Sequence, residues 1–427
     1  MVKSTFIQLP PREPWAPPSP GILYEPPDGT PCSRTAVLVI HSDEDYLAFC
    51  TGPELAKRGF KVLCTNVMNK EGILYTQINK MSNVKAAVAY LRRLPDVEKV
   101  VLMGHSGGAT LMTAYQYIAE NGIGGFQDHQ KIVPYPDVET DYSPADGVML
   151  LDANWGNAAM QLFSLDPAVV DERSGLGLDP ELDVFNPQNG FDPRGSHYSD
   201  AFIRKFQMAQ SRRNNQLVDS ALERLHLIEM GRGYYSDDEP FVIPGSAQSF
   251  MNNKLYPQDI RLMAHTQKAH PLLHPDGSQT VEVIHSLRGP EDPVSLTHSL
   301  WQGGRMLSVR SFLTSYAVRT DENFGYDDST VWGIDWNSCY CCPPGNAEGI
   351  HVPILIMGMT AGWEFMAAET IYNHAASEDK TIAFVEGATH KFTPATHLEQ
   401  VLGQFGDTVK TLHDYVSRWL QAPGRFS

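Results

Sequence analysis

The sequence predicts an α/β protein: a doubly wound, mostly parallel sheet with helices on both faces and an inserted, mainly helical cap. Short apolar runs rich in β-branched residues recur along the chain with helical segments between them. These runs are nearly continuous rather than alternating, which is typical of parallel strands covered on both faces. The alternation is interrupted once, by the long stretch between residues 152 and 352.

Six apolar runs predict the strands of the sheet. They lie at residues 35–41, 60–66, 97–103, 147–152, 352–357 and 381–385. A helical stretch between the first two runs ends at Gly59, a residue type that commonly terminates helices. Between the next two, residues 83–94 place Val84, Val88 and Leu91 on one helix face. Alternating strands and helices imply a doubly wound sheet whose ligand site lies at the carboxyl ends of the strands.

Both ends of the chain carry patterns of their own. Residues 1–20 are rich in proline, which predicts an extended arm on the surface or the start of a strand. At the other end, apolar residues recur at steps of three and four from Leu398 to Trp419. This stripe predicts one continuous amphipathic helix, despite Gly403 and Gly406.

The interruption predicts a cap or lid, at residues 156–349, inserted into a core made of residues 21–155 and 350–427. Residues 200–230 carry an apolar stripe at helical spacing, and loops rich in Pro, Gly and Asp surround it. A linker would lack such a stripe, so the pattern favours a helical subdomain.

Composition and charge exclude several classes of protein. The net charge is −17, which argues against binding to nucleic acid or to an anionic membrane surface. No apolar window is long enough for a transmembrane helix, and the N-terminus lacks the apolar core of a signal peptide. We therefore expect a cytoplasmic protein with a small-molecule substrate. The sequence leaves the oligomeric state, including a homodimer, open.

The most informative motif is GHSGG at residues 104–108. An apolar strand precedes it and a helical segment follows at once. Gly-x-Ser-x-Gly needs this context, because the chain must reverse sharply to project the serine hydroxyl above the sheet. The following helix points its free N–H groups and positive dipole end at Ser106. The motif therefore predicts Ser106 as a nucleophile.

With this motif, the chain resembles the α/β-hydrolase superfamily, in the form of an esterase- or lipase-like serine hydrolase with a large cap. The resemblance covers roughly residues 20–156 and 350–420. It implies a general base in the loop after the last strand, where the sequence FVEGATH places His390. A serine hydroxyl needs such a base because it is a weak nucleophile at neutral pH.

The resemblance also implies a carboxylate that orients His390. Family members usually carry it just after the run at 352–357, but that position reads GMTAGWEF and holds no Asp. We expect Glu364 to take the role, since its longer side chain reaches further. Asp152, at the end of the run at 147–152, is the alternative.

Two backbone N–H groups are expected to form an oxyanion hole. One is that of Gly107, directly after the nucleophile. The family takes the other from the loop after the run at 35–41, which makes Asp43 the expected donor and Ser42 the alternative. This loop reads HSDED, and three carboxylates beside a developing oxyanion are unusual.

The expected function is hydrolysis of a carboxylic ester or lactone of a small, largely apolar molecule through an acyl-enzyme on Ser106. No cofactor is implied, and no metal site, since no pair of cysteines complements the cluster at 339–342. The same residues leave three alternatives open. These are a C–C bond hydrolase or biosynthetic acyl-transfer or cyclisation enzyme, a peptidase, and a non-catalytic ligand-binding protein on a hydrolase scaffold.

Overall fold

The structure is a computed structural model that describes residues 1–11, 18–67, 77–136, 141–247 and 254–426. Its strands are β1 (Lys3–Leu9), β2 (Ser19–Glu25), β3 (Thr35–His41), β4 (Lys61–Asn66), β5 (Lys99–Ser106), β6 (Gly147–Ala153), β7 (Val169–Asp171), β8 (Ser174–Leu178), β9 (Pro240–Ile243), β10 (His265–Leu273), β11 (Gln279–His285), β12 (Arg305–Ser308), β13 (Arg319–Tyr326), β14 (Val331–Asp335), β15 (Ile354–Met359) and β16 (Lys380–Val385). Its helices are α1 (Thr51–Lys57), α2 (Gln77–Arg92), α3 (Gly108–Asn121), α4 (Asn157–Ser164), α5 (Asp200–Glu229), α6 (Leu255–Gln258), α7 (Leu300–Gly303), α8 (Val309–Ser315), α9 (Pro343–Ala347), α10 (Phe365–His374) and α11 (Thr408–Leu420).

One ten-stranded sheet organises the chain. Its strand order is β1-β2-β4-β3-β5-β6-β15-β16-β10-β11. All strands from β4 to β10 in this order run parallel, while β1, β2 and β11 pair antiparallel at the two edges. The predicted fold class is confirmed: a mostly parallel sheet, a strand–serine–helix turn at β5 and a long insertion after β6 make this an α/β-hydrolase fold.

The helices cover both faces of the sheet, each through its own apolar cluster. On one face α2, α3 and α10 bury residues such as Val84, Met112 and Ile371. On the other face α1 and α11 bury residues such as Leu55 and Leu412. Burial on both faces explains why the central strands are continuously apolar. None of the described helices combines the length and apolarity that crossing a bilayer requires.

The strand predictions from apolar runs are confirmed for all six runs, with ends shifted by a few residues. The helix expected at 83–94 begins earlier, at Gln77, and ends at Arg92. The helix expected at 200–230 is α5, whose first turn is capped by Ser199, because the Ser199 side chain accepts the Phe202 N–H at 3.2 Å.

The single helix predicted from Leu398 to Trp419 is wrong over its first half. The helix α11 begins only at Thr408, where the Asp407 side chain accepts the Lys410 N–H at 2.9 Å. Before it, Gly403 and Gly406 adopt φ values of 78° and 56°. Left-handed backbone at two glycines breaks the helix that the apolar spacing suggested.

The edges of the sheet also differ from the sequence-based picture. The proline-rich N-terminal segment forms the strand β1, one of the two outcomes predicted for it. Residues 12–17 lie outside the described part of the chain. The insertion supplies β10 and β11 to the central sheet, and it also forms three two-stranded sheets. These strands differ from the mainly helical cap that the sequence predicts. Edge strands such as β11 are mostly exposed, so they need no continuous apolar run to reveal them.

Candidate active site

The sharp turn predicted at Ser106 is present between β5 and α3. Ser106 has φ 53°, a strained value for a residue with a side chain. The flanking glycines are required by close packing, because a Cβ on Gly104 would lie 2.8 Å from Ala109 Cα, and one on Gly108 would lie 2.7 Å from Ile40 O. The turn therefore stands at the carboxyl end of β5, with α3 beginning directly behind the serine.

His390 lies in the loop after β16 and is bonded to Asp152 at the end of β6. The distance between His390 Nδ1 and Asp152 Oδ2 is 2.7 Å, and Asp152 is 1% exposed. The other carboxylate oxygen, Oδ1, accepts the Met359 N–H at 2.8 Å. Because Nδ1 donates to a carboxylate, Nε2 of a neutral His390 ring is the nitrogen able to accept a proton.

Glu364 does not occupy the position expected for it. Its Oε1 lies 3.9 Å from His390 Nδ1, too far for a hydrogen bond. Asp152, the alternative, is the carboxylate that bonds to the ring. Asp152 has φ 48°, a left-handed backbone conformation at the end of β6. From this position its side chain bonds to the imidazole.

The two carboxylates together govern the charge of His390. Burial lowers the pKa of His390, but the nearby Glu364 charge and the hydrogen bond and charge of Asp152 outweigh it and raise the pKa to about 9. Burial in turn raises the pKa of Asp152 above its usual range. The two carboxylates therefore favour the charged form of the His390 imidazole.

His105, the variable residue inside GHSGG, ties the turn to the loop that carries His390. Its Nε2 lies 2.6 Å from His390 O, and the two rings have centroids 4.4 Å apart. A carbonyl only accepts, so Nε2 carries the proton and Nδ1 accepts the hydrogen bond from Tyr46 OH. Burial lowers the pKa of His105 well below its usual range, which keeps the ring neutral.

The loop after β3 lies beside Gly107, as expected for an oxyanion hole. A Cβ on Gly107 would lie 2.8 Å from Ser42 Oγ and 3.1 Å from Asn157 Oδ1. The Asp43 N–H, however, donates to His41 Nδ1 at 3.0 Å, so this expected donor is already engaged. Glu44 N–H donates to the same nitrogen at 2.9 Å. Of the two candidates named from sequence, Ser42 is therefore the better placed.

The crowded carboxylates of this loop are individually compensated. Asp43 Oδ1 accepts from Lys80 Nζ at 2.6 Å, and the Lys80 side chain is only 5% exposed. Burial raises the pKa of Asp43, but the charge and hydrogen bond of Lys80 outweigh this effect and bring the pKa below its usual range. Glu44 pairs with Lys391 at 3.1 Å, and Asp45 accepts from Asn66 Nδ2 at 2.9 Å. These three loop carboxylates therefore do not form a cluster of uncompensated negative charge.

Side chains of metal-ligating type gather once in the part of the chain that is described. His105, Asp152 and His390 have ligand atoms within 4.8 Å of one another. Both ring nitrogens of His105 are already in hydrogen bonds, and Asp152 bonds to His390. The donor set thus fits a network of hydrogen bonds better than a coordination shell.

Comparisons with known proteins add only distant likenesses. No protein-family model and no curated protein matches the chain. Among solved structures, a hypothetical protein from Pseudomonas aeruginosa is 12% identical, with 98% of this chain and 93% of that chain covered and a TM-score of 0.42. Est1E from Butyrivibrio proteoclasticus is 10% identical over 97% of both chains, with a TM-score of 0.40. Proline iminopeptidase from Mycobacterium smegmatis is 9% identical over 98% of both chains, with a TM-score of 0.40. Likeness at this level says nothing about activity.

Several residues at the site carry no signal in the sequence. Lys80 lies on α2, Asn157 opens α4, and Tyr316 follows α8, yet all three have polar atoms within 3.4 Å of Asp43. Tyr46 is equally unmarked, and His105 stands at the position of GHSGG for which the motif specifies no residue type. Only the packing of distant segments brings these side chains together.

Proposed function

We propose that this protein is a serine hydrolase that cleaves a carboxylic ester or lactone of a small, largely apolar molecule. The observation that carries the proposal is the buried Asp152–His390 hydrogen bond. The hydrogen bond from His105 Nε2 to His390 O joins the loop that carries His390 to the strained turn at Ser106. A nucleophile, a base and a carboxylate that orients the base are the parts that acyl transfer through a serine needs.

In the proposed mechanism, Ser106 Oγ attacks the acyl carbon while His390 Nε2 takes its proton. The imidazolium then returns this proton to the leaving oxygen, which departs and leaves an acyl-enzyme on Ser106. Water then attacks the acyl carbon while His390 takes its proton, and the imidazolium returns this proton to Ser106 Oγ as the acyl–Oγ bond breaks and the acid product leaves. Asp152 holds the ring in the tautomer with Nδ1 protonated and stabilises its positive charge.

The negative charge of the tetrahedral intermediate needs hydrogen-bond donors fixed in advance. We assign these to the backbone N–H groups of Gly107 and Ser42. The start of α3 adds the positive end of its dipole. The Lys80 charge, paired with Asp43 beside this position, prevents the loop carboxylate from opposing the developing oxyanion.

Apart from β10 and β11, which join the central sheet, residues 156–349 are proposed to cover the site as a cap. Two side chains of this segment reach the loop after β3: Asn157 Nδ2 and Tyr316 OH each lie 3.4 Å from an Asp43 oxygen. The substrate would bind between these contacts and the carboxyl ends of β3 and β5. The compensated loop carboxylates give no support to a peptidase that captures a substrate amine.

A fluorophosphonate probe tests the nucleophile directly. We expect the protein to be labelled at one site, and Ser106→Ala to abolish both the labelling and the hydrolysis of p-nitrophenyl esters, because no other described serine stands in such a turn. Covalent labelling is read by intact mass, which also gives its stoichiometry.

Ser174→Ala provides the matched control for this labelling. Ser174 begins the cap strand β8 and lies away from the turn, so its loss should leave labelling and turnover intact. Labelling that persists in Ser106→Ala, at the same stoichiometry, would refute the assignment of the nucleophile.

A further inference from the structure

Arg305 is a cation of the cap that stacks on an aromatic ring rather than pairing with a described carboxylate. It begins β12, and its guanidinium carbon lies 4.3 Å from the centre of the Tyr316 ring. Within the described ranges, its side chain makes no hydrogen bond and no ion pair. A guanidinium fixed over an aromatic ring keeps its in-plane N–H donors available for an oxygen ligand.

Short contacts connect this cation to the nucleophile turn. Tyr316 OH lies 3.4 Å from Asp43 Oδ1, and Ser42 Oγ donates to Asp43 Oδ2 at 2.6 Å. Ser42 Oγ in turn lies against Gly107, the residue after the nucleophile.

Among the described residues here, Asp43 pairs with Lys80 at 2.6 Å, and Arg305 acts on both residues through its charge without forming an ion pair with Asp43. An anion placed at Arg305 would give this guanidinium a direct partner. A cationic group in the ligand would be repelled by it.

We propose that Arg305 binds an anionic oxygen group of the substrate, a carboxylate in the first place. The inference rests on the proposed hydrolase function and adds a substrate class to it: esters or lactones that carry a carboxylate within reach of the scissile carbonyl. Guanidinium groups suit this role, because their planar donors match the oxygens of a carboxylate. The acidic net charge of the chain does not oppose it, since one local cation is sufficient.

Two esters of equal chain length test this inference. p-Nitrophenyl hemiglutarate carries a terminal carboxylate, and p-nitrophenyl valerate replaces it with a methyl group. We expect kcat/KM of the natural protein to favour the hemiglutarate by about tenfold or more, as one charged hydrogen bond can provide. In Arg305→Met this ratio should fall to about one, and Arg305→Lys should retain part of it because the charge is kept.

Arg173→Met is the matched control. Arg173 is 91% exposed on the cap and pairs with Asp171 at 3.1 Å, so its loss changes the net charge equally without touching the site. The ratio should stay at the value of the natural protein. No preference in the natural protein, or the same preference in Arg305→Met, would overturn the assignment.

Glutarate binding separates this inference from the proposed hydrolysis. Calorimetry on Ser106→Ala should detect glutarate, and adding Arg305→Met should weaken its Kd at least about tenfold. If neither ester is hydrolysed, the proposed function fails while this binding still decides the role of Arg305. Equal glutarate affinity in both proteins would refute the anion site whatever the esterase result.

Discussion

Asp152→Asn is expected to lower kcat by about 10⁴-fold, because an amide can neither hold His390 in the required tautomer nor stabilise its positive charge. The structure gives the reason: Asp152 Oδ2 is the partner of His390 Nδ1 at 2.7 Å. Steady-state kinetics on a p-nitrophenyl ester measures the effect. The melting temperature must be measured beside it, since Asp152 also accepts the Met359 N–H.

Glu364→Gln is the comparison that decides between the two carboxylates. At 3.9 Å from Nδ1, Glu364 interacts with His390 through its charge and makes no hydrogen bond to it. We expect this variant to keep at least about a tenth of kcat, a change of under about 1.4 kcal/mol in the activation barrier. The opposite ranking, with Glu364→Gln inactive and Asp152→Asn active, would return the role to Glu364.

The rate should also rise steeply with pH. His390 accepts the serine proton only when neutral, and its pKa is raised to about 9. The neutral fraction is then about 1% at pH 7 and about half at pH 9, so kcat/KM should increase about 50-fold between these values. A neutral ester such as p-nitrophenyl valerate, corrected for spontaneous hydrolysis, provides the profile.

The same profile reveals what Glu364 does. Its negative charge favours the imidazolium, so Glu364→Gln should lower the pKa of His390, shift the rising limb to lower pH and reduce the ratio of rates at pH 9 and 7. Glu378→Gln removes an exposed carboxylate instead and should leave the limb in place. A limb near pH 6.5 in the natural protein, unmoved by Glu364→Gln, would contradict the charge coupling.

Much of the fold is determined by local sequence. The six apolar runs become strands because burial on both faces demands continuous apolar residues, and this demand is visible in each run alone. The turn at Ser106 is equally local: a strand, two flanking glycines and a helix start define it within a few residues. The position of His390 follows from its place after the last parallel strand of the core.

Features that depend on which segments of the chain cover one another are harder to predict from the sequence. The apolar spacing from Leu398 onward looked helical, yet Leu402 is 97% exposed and Gly403 and Gly406 turn the chain. Periodicity shows which residues would share a face if a helix formed, and it does not show whether another segment covers that face. The strands β10 and β11 lack a continuous apolar run, because β11 is the exposed edge of the sheet and β10 pairs with β16 only at Leu272 and Leu273.

The sequence by itself determined the fold class, the candidate nucleophile and the candidate base, because each depends on a short stretch of chain. Only the tertiary structure decided the carboxylate partner of His390, since Asp152 at the end of β6 and Glu364 after β15 are both near the ring, at 2.7 Å and 3.9 Å from Nδ1, and local sequence does not show which is nearer. Tertiary structure likewise decided the surroundings of Asp43. Lys80 lies on α2, far along the chain from Arg305 and Tyr316 at the two ends of the β12–α8 stretch, and hydrogen bonds and charge act over distances that spacing along the chain does not encode.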